Sequence, residues 1–195
     1  PLAKLPNLKK YYPLQLGDKT LNWLDTSLLK GQAKNTVIKL EGKIQDFPFE
    51  NINNEPNSTK GIFIVDSIIS NSFIEYGKGW PELNNFDFRI KVENNNIVFE
   101  SIKGDLLNNN IKKMIAQISP SNIKDPIMDI KLILESPIPK IINAINKSPI
   151  KQVMKGIFDD LNGEGNGELS VNLQIPLKDE NNITFNGVYE FQNSS

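Results

Sequence analysis

The chain contains no cysteine and no histidine. The first absence removes disulfides, iron–sulfur ligation and thiol nucleophiles. It suits an oxidising compartment, where stray thiols are a liability, without assigning one. The second removes Ser-His-Asp chemistry, imidazole general bases and most transition-metal sites. Arginine is nearly missing too: Arg89 is the only one, and every other cationic side chain is a lysine. Surfaces that read phosphates use more of the planar guanidinium fork than that. The formal net charge is −1, so no overall field favours nucleic acid or acidic substrates. No apolar run reaches the ~18 residues that a membrane-spanning helix needs. No signal peptide is visible and the first residue is Pro1, which reads as one internal section, residues 1–195, of a longer protein whose anchor lies elsewhere.

What the sequence does have is alternation. Leu169, Val171, Leu173 and Ile175 alternate with Ser170, Asn172 and Gln174. After Pro176 and the turn-forming residues 178–182, a second alternation follows in Ile183, Phe185, Gly187, Tyr189 and Phe191. That is a hairpin with one apolar and one polar face. The same device recurs upstream. Phe86, Phe88, Ile90 and Val92 oppose Asp87, Arg89 and Lys91; Met128, Ile130, Leu132 and Leu134 line one side of residues 127–135. Strands are also expected over 33–42, 61–76 (apolar on both faces at first, interrupted near Ser70-Asn71), 97–106 and 111–118, with turns at Asn94-Asn95-Asn96 and Asn108-Asn109-Asn110.

Three helices interrupt the strands. Residues 18–30 carry Leu21, Leu24 and Leu28 on one face, with Asp18 as N-cap, Gly31 as the terminating glycine and Trp23 to the side of the stripe. Ser136-Pro137 opens a second helix with Ile138, Ile141, Ile142 and Ile145. Ser148-Pro149 opens a third with Ile150, Val153, Met154, Ile157, Phe158 and Leu161. Residues 1–16 read as an extended lead-in. The expected class is α+β and mostly β: a long antiparallel sheet over 33–135, a helix at 17–31, a helix pair at 136–162, and a hairpin over 163–195 that continues the sheet. The helices cover one face or one end.

Chemical motifs are weak. Gly163, Gly165 and Gly167 precede a strand rather than a helix, so they do not form a phosphate cradle. Asp160, Asn162, Glu164 and Gly165 match the start of a calcium loop, but its twelfth position is Val171 rather than a carboxylate. Asp159 and Asp160 are neighbours on a helix and diverge by about 100°. Asn57-Ser58-Thr59 and Asn182-Ile183-Thr184 match the short N-glycosylation pattern, which is common by chance. No cofactor and no catalytic constellation is expected. The apolar side of 86–92 has two readings: ordinary core beneath helices, or a groove kept open for a greasy guest. About eight strands present more large apolar side chains than three modest helices can cover, unless the sheet curls on itself.

An ordered set of short segments resembles the YhdP family of AsmA-like proteins. They are Leu21-Asn22-Trp23-Leu24-Asp25 with Gly31, then Gly42 leading to Asp46-Phe47-Pro48-Phe49, then Trp80-Pro81-Glu82-Leu83 leading into Phe86-Asp87. Ser148-Pro149-Ile150 follows, and Gly165-Asn166-Gly167-Glu168-Leu169 runs on to Ile175-Pro176-Leu177. The resemblance spans roughly residues 17–195. It implies a repeating β-groove, a long curled sheet with a hydrophobic floor in the periplasm of a Gram-negative envelope. Phospholipid acyl chains would be its ligands, with neighbouring repeats of the same chain and the inner and outer membranes as partners, and no nucleic acid. On that basis the floor would comprise Phe86, Phe88, Ile90, Val92, Met128, Ile130, Leu132, Leu134, Leu169, Val171, Leu173, Ile183 and Phe185. The alternative is a structural or partner-binding module with a fully covered core.

Overall fold

The structure, a computed structural model, describes residues 3–4, 17–47, 49, 60–118, 124–152, 165–178 and 182–192. Among them are nine strands: β1 (Ala3–Lys4), β2 (Leu28–Gly42), β3 (Gly61–Ile74), β4 (Leu83–Glu93), β5 (Asn96–Leu106), β6 (Asn109–Ile118), β7 (Ile127–Pro137), β8 (Asn166–Pro176) and β9 (Thr184–Phe191). Two α-helices accompany them, α1 (Asp18–Ser27) and α2 (Ile138–Asn146). The spatial order of the strands is their chain order, every adjacent pair is antiparallel, and β1 does not pair with β9. The result is an open, curled meander: mostly β, with both helices packed on its apolar face.

The strands follow from their alternation, and the curl follows from asparagine. Asn35, Asn71 and Asn85 have φ near +51°, in the left-handed region. Each lies at a slip in pairing register, between Lys34 and Val37, between Ile69 and Ser72, and between Asn84 and Asp87. These are β-bulges, which bend a strand and tighten its twist. Asparagine reaches left-handed backbone more readily than other residues with a Cβ. Asn71 therefore bends β3 without breaking it, where an interruption was expected from Ser70-Asn71. The turn after β5 is Leu107-Asn108, both with positive φ as a two-residue hairpin requires, and Asn109 already pairs with Leu106.

Three boundaries depart from the sequence-based expectation. α1 stops at Ser27, and Gly31 sits inside β2 at φ +148°, where the register slips between Lys30 and Gln32. A helix-ending glycine and a bulge glycine give the same signal, since both exploit freedom at positive φ. The N-cap position is Gly17, so Asp18 is a first-turn residue. The helix expected to open at Ser136-Pro137 begins one residue later than expected, at Ile138. Ser136 and Pro137 finish β7, paired with Gly167 and Asn166, and Pro137 becomes the N-cap of α2. At Ser148-Pro149 a short 3-10 turn, Pro149–Gln152, forms; the expected continuation through Val153, Met154, Ile157, Phe158 and Leu161 lies outside the described residues. So do most of the lead-in 1–16, Asn57-Ser58-Thr59, Asp159, Asp160, Asn162, Gly163 and Glu164.

Candidate functional site: an apolar floor

Because cross-strand partners share a face, the register assembles side chains into rows running across the sheet. One row is Ile38, Val65, Val92, Ile97, Ile118, Met128 and Ile175, from β2 to β8. The next is Ser67, Ile90, Phe99, Ala116, Ile130, Leu173 and Phe185, from β3 to β9. A third joins Met114, Leu132 and Val171, and a fourth joins Ile111, Leu134, Leu169 and Tyr189. Ile69 pairs with Phe88, which stacks on Phe86 at 5.6 Å and meets Phe99 at 5.9 Å. The floor is therefore mostly hydrocarbon, interrupted by the hydroxyls of Ser67, which bonds to Thr36 at 2.8 Å, of Ser72 opposite Phe86 and of Ser101 opposite Phe88.

The opposite face is built from the intervening residues. Asp66, Lys91, Val98, Gln117, Asp129, Gln174 and Thr184 form one row. Ile68, Arg89, Glu100, Ile115, Lys131, Asn172 and Asn186 form the next. Arg89 forks onto both oxygens of Asp66, and this hydrogen-bonded cation holds the carboxyl below the ordinary aspartate range. Gln174 donates to Asp129 at 2.8 Å. A sheet that is apolar inside and charged outside is the reverse of a transmembrane barrel, whose outer band faces lipid.

All thirteen residues expected on the floor lie on this one apolar face. Phe86, Phe88, Val92, Met128, Ile130, Leu132, Leu134, Leu169, Val171 and Leu173 are buried; Ile90, Ile183 and Phe185 are half-buried. Sequence reasoning missed what covers them. Trp23 is not to one side of α1 but beneath it, buried, with its ring 5.8 Å from Phe99 and its indole N–H donating to the Tyr76 carbonyl at 3.1 Å. Ile141, Ala144 and Ile145 of α2 are buried over the β7–β8 end. The space left is small. One apolar cavity of about 50 Å³ lies among Trp23, Phe86, Phe88, Phe99 and Met128. Another of about 50 Å³ lies below α2, among Ala144, Ile145, Trp80 and Phe185. The floor comes into the open at the β2 edge, where Ile38 is 60% and Leu40 is 56% exposed.

Both sheet edges end without a partner strand among the described residues: β2 along residues 34–42, beyond its short pairing with β1, and β9 along its outer side. Among the described residues, no group of three or more acidic side chains could hold a metal, and no helix is long and apolar enough to cross a membrane.

A curled, open antiparallel sheet with one apolar and one charged face, its apolar face overlaid by two helices, defines the class of this β-protein. A scan against family models matches residues 2–195 to the model described as "YhdP protein". The chain belongs to the YhdP family, an AsmA-like assignment that covers essentially its whole length. Searches of curated proteins and of solved structures returned no match.

Proposed function

We propose that this chain is one section of a hydrophobic groove in a cell envelope, along which phospholipid acyl chains pass between the inner and outer membranes. The observation that carries the reading is the register: two apolar rows cross β3–β8 and two more cross β6–β8, none with a charged side chain on the floor. Exposing an acyl chain to water costs about 0.8 kcal/mol per CH2, on the order of 10 kcal/mol per chain. A continuous apolar floor removes that exposure while a head group stays wet at the rim. No acid, base or nucleophile is required. The edges of β2 and β9, which lack a partner strand among the described residues beyond the short pairing with β1, suit the addition of neighbouring sections, which would prolong the floor. Periplasmic placement accords with the family and with the absence of thiols.

A second reading, a packed scaffold whose edges dock neighbours and whose interior carries no lipid, is favoured by the burial of ten of the floor residues. The two cavities admit a few water-sized bodies, not a tail. Native mass spectrometry of the chain purified without detergent separates the two. Adducts of phospholipid mass support the groove. A bare chain at every charge state, after incubation with phospholipid, leaves the scaffold.

A further inference from the structure

The two helices cover the floor with different chemistry. α2 buries Ile138, Ile141, Ala144 and Ile145. α1 buries Thr20, Trp23, Leu24 and Ser27, so half of its underside is hydroxylic. α1 has ten residues and no side-chain cap at Gly17, and a helix that short persists only through the packing of its apolar face. The apolar side chains it buries are Trp23 and Leu24. Phe99, which the indole meets edge-on, is a member of the row that crosses to Ile130 and Leu173. The indole therefore rests on the floor itself and borders the apolar cavity there. That cavity and the one under α2 share Leu106, Leu132 and Leu173 as walls. At its C-terminal end α1 runs directly into β2 at Leu28, with no loop between them, and the Glu75 amide donates to the Ser27 carbonyl at 3.0 Å.

We propose that Trp23 is a removable plug. With α1 seated, the indole occupies the place of a single acyl chain over Phe88 and Phe99, and a tail enters by displacing it as α1 lifts about Ser27–Leu28. This rests on the groove reading above and adds the element that opens. Ring and tail are both apolar, so the floor stays dry in either state, and a tail shifts the equilibrium by its better contact with the open form. Because the open form is the minor one, the plug lowers the apparent affinity of the native chain by the fraction that is open.

Stearate is the probe. The variant Trp23→Ala binds it at least about tenfold more tightly than the native chain. In Trp80→Phe protein, Trp23 is the only indole, and its emission shifts to the red as stearate is added. In the native chain without ligand, amides of α1 exchange at least about tenfold faster than those of α2. Equal binding by the native chain and Trp23→Ala, with emission unmoved, makes the indole fixed core; the plug is then wrong and the groove stands. No stearate on either chain sinks plug and groove together. If Trp23→Ala fails to fold, the emission and exchange results decide on chains that keep the indole. A red shift with fast α1 exchange supports the plug, and an unmoved emission or an α1 as protected as α2 overturns it.

Discussion

Phe88 and Arg89 are consecutive in β4 and point to opposite faces, so a pair of alanine substitutions tests the sidedness of the sheet. Phe88 is fully buried, held between Phe86 at 5.6 Å and Phe99 at 5.9 Å, and it borders an existing cavity. Phe86 cannot move in to fill the gap, because it is itself fully buried with its ring lying against Gly104. Phe88→Ala therefore destabilises by about 3–5 kcal/mol, towards the upper end, since the site collapses poorly. For a chain of this length 1 kcal/mol moves Tm by about 2–4 °C, so the expected drop is about 6–20 °C. Arg89→Ala removes an ion pair in which the guanidinium side is half in solvent, and an exposed pair of this kind adds little to stability. Urea unfolding followed by far-UV circular dichroism gives both numbers. Similar losses for the two variants, or a loss below about 1.5 kcal/mol for Phe88→Ala, would refute the division into a packed face and a solvated one. The void left by Phe88→Ala should also accept a small apolar probe such as benzene.

At Phe185, half-buried on the floor at the β9 edge, Phe185→Asp should abolish phospholipid adducts in native mass spectra while leaving the circular dichroism spectrum intact. The same change at Phe88 would instead unfold the chain, because the charge would be stranded in hydrocarbon. Burial pushes the Tyr76 phenol well above its ordinary value. The folded state thus holds this proton more tightly than the unfolded state, whose phenol titrates near pH 10. The resulting stability is fully present below pH ~10 and is lost as pH rises above it. Urea midpoints measured from pH 8 to 11.5 should fall steeply above 10 in the native chain and less so in Tyr76→Phe. Gly104→Ala places a methyl group well inside van der Waals distance of the Phe86 ring. It should cost about 1–3 kcal/mol by thermal unfolding, whereas Gly165→Ala, with open space around its Cβ, lacks this clash.

The sheet was legible wherever a strand has one wet face. Residues 86–92, 128–134 and 169–175 show a clean period of two, and their apolar members do share one face. The ends of elements were less legible, because one residue type serves several geometries. Gly31 can end a helix or fill a bulge, and Ser136-Pro137 can begin a helix or finish a strand, as it does opposite Asn166 and Gly167. The asparagines carried a signal that went unread: Asn35, Asn71 and Asn85 mark the bulges that curl the sheet. Part of the floor, in β4, β7, β8 and β9, shows in the alternation; its β5 and β6 members, Ile97, Phe99, Ile111 and Ile118, were not among the residues expected there. The cover does not show there, because whether Trp23 lies beside or beneath its helix depends on where α1 docks, and docking is a long-range property that no local period encodes.

One consequence of the strand order concerns how the molecule is made. From β2 to β9, every strand bonds only to the strands immediately before and after it in the chain. Loop closure between sequence neighbours is entropically cheap and quick, and no ribbon must wait for a distant partner to be synthesised. A chain threaded through a secretion pore could thus zip up progressively, each newly delivered ribbon adding to the last, with a single growing rim to be shielded from misassociation at any moment.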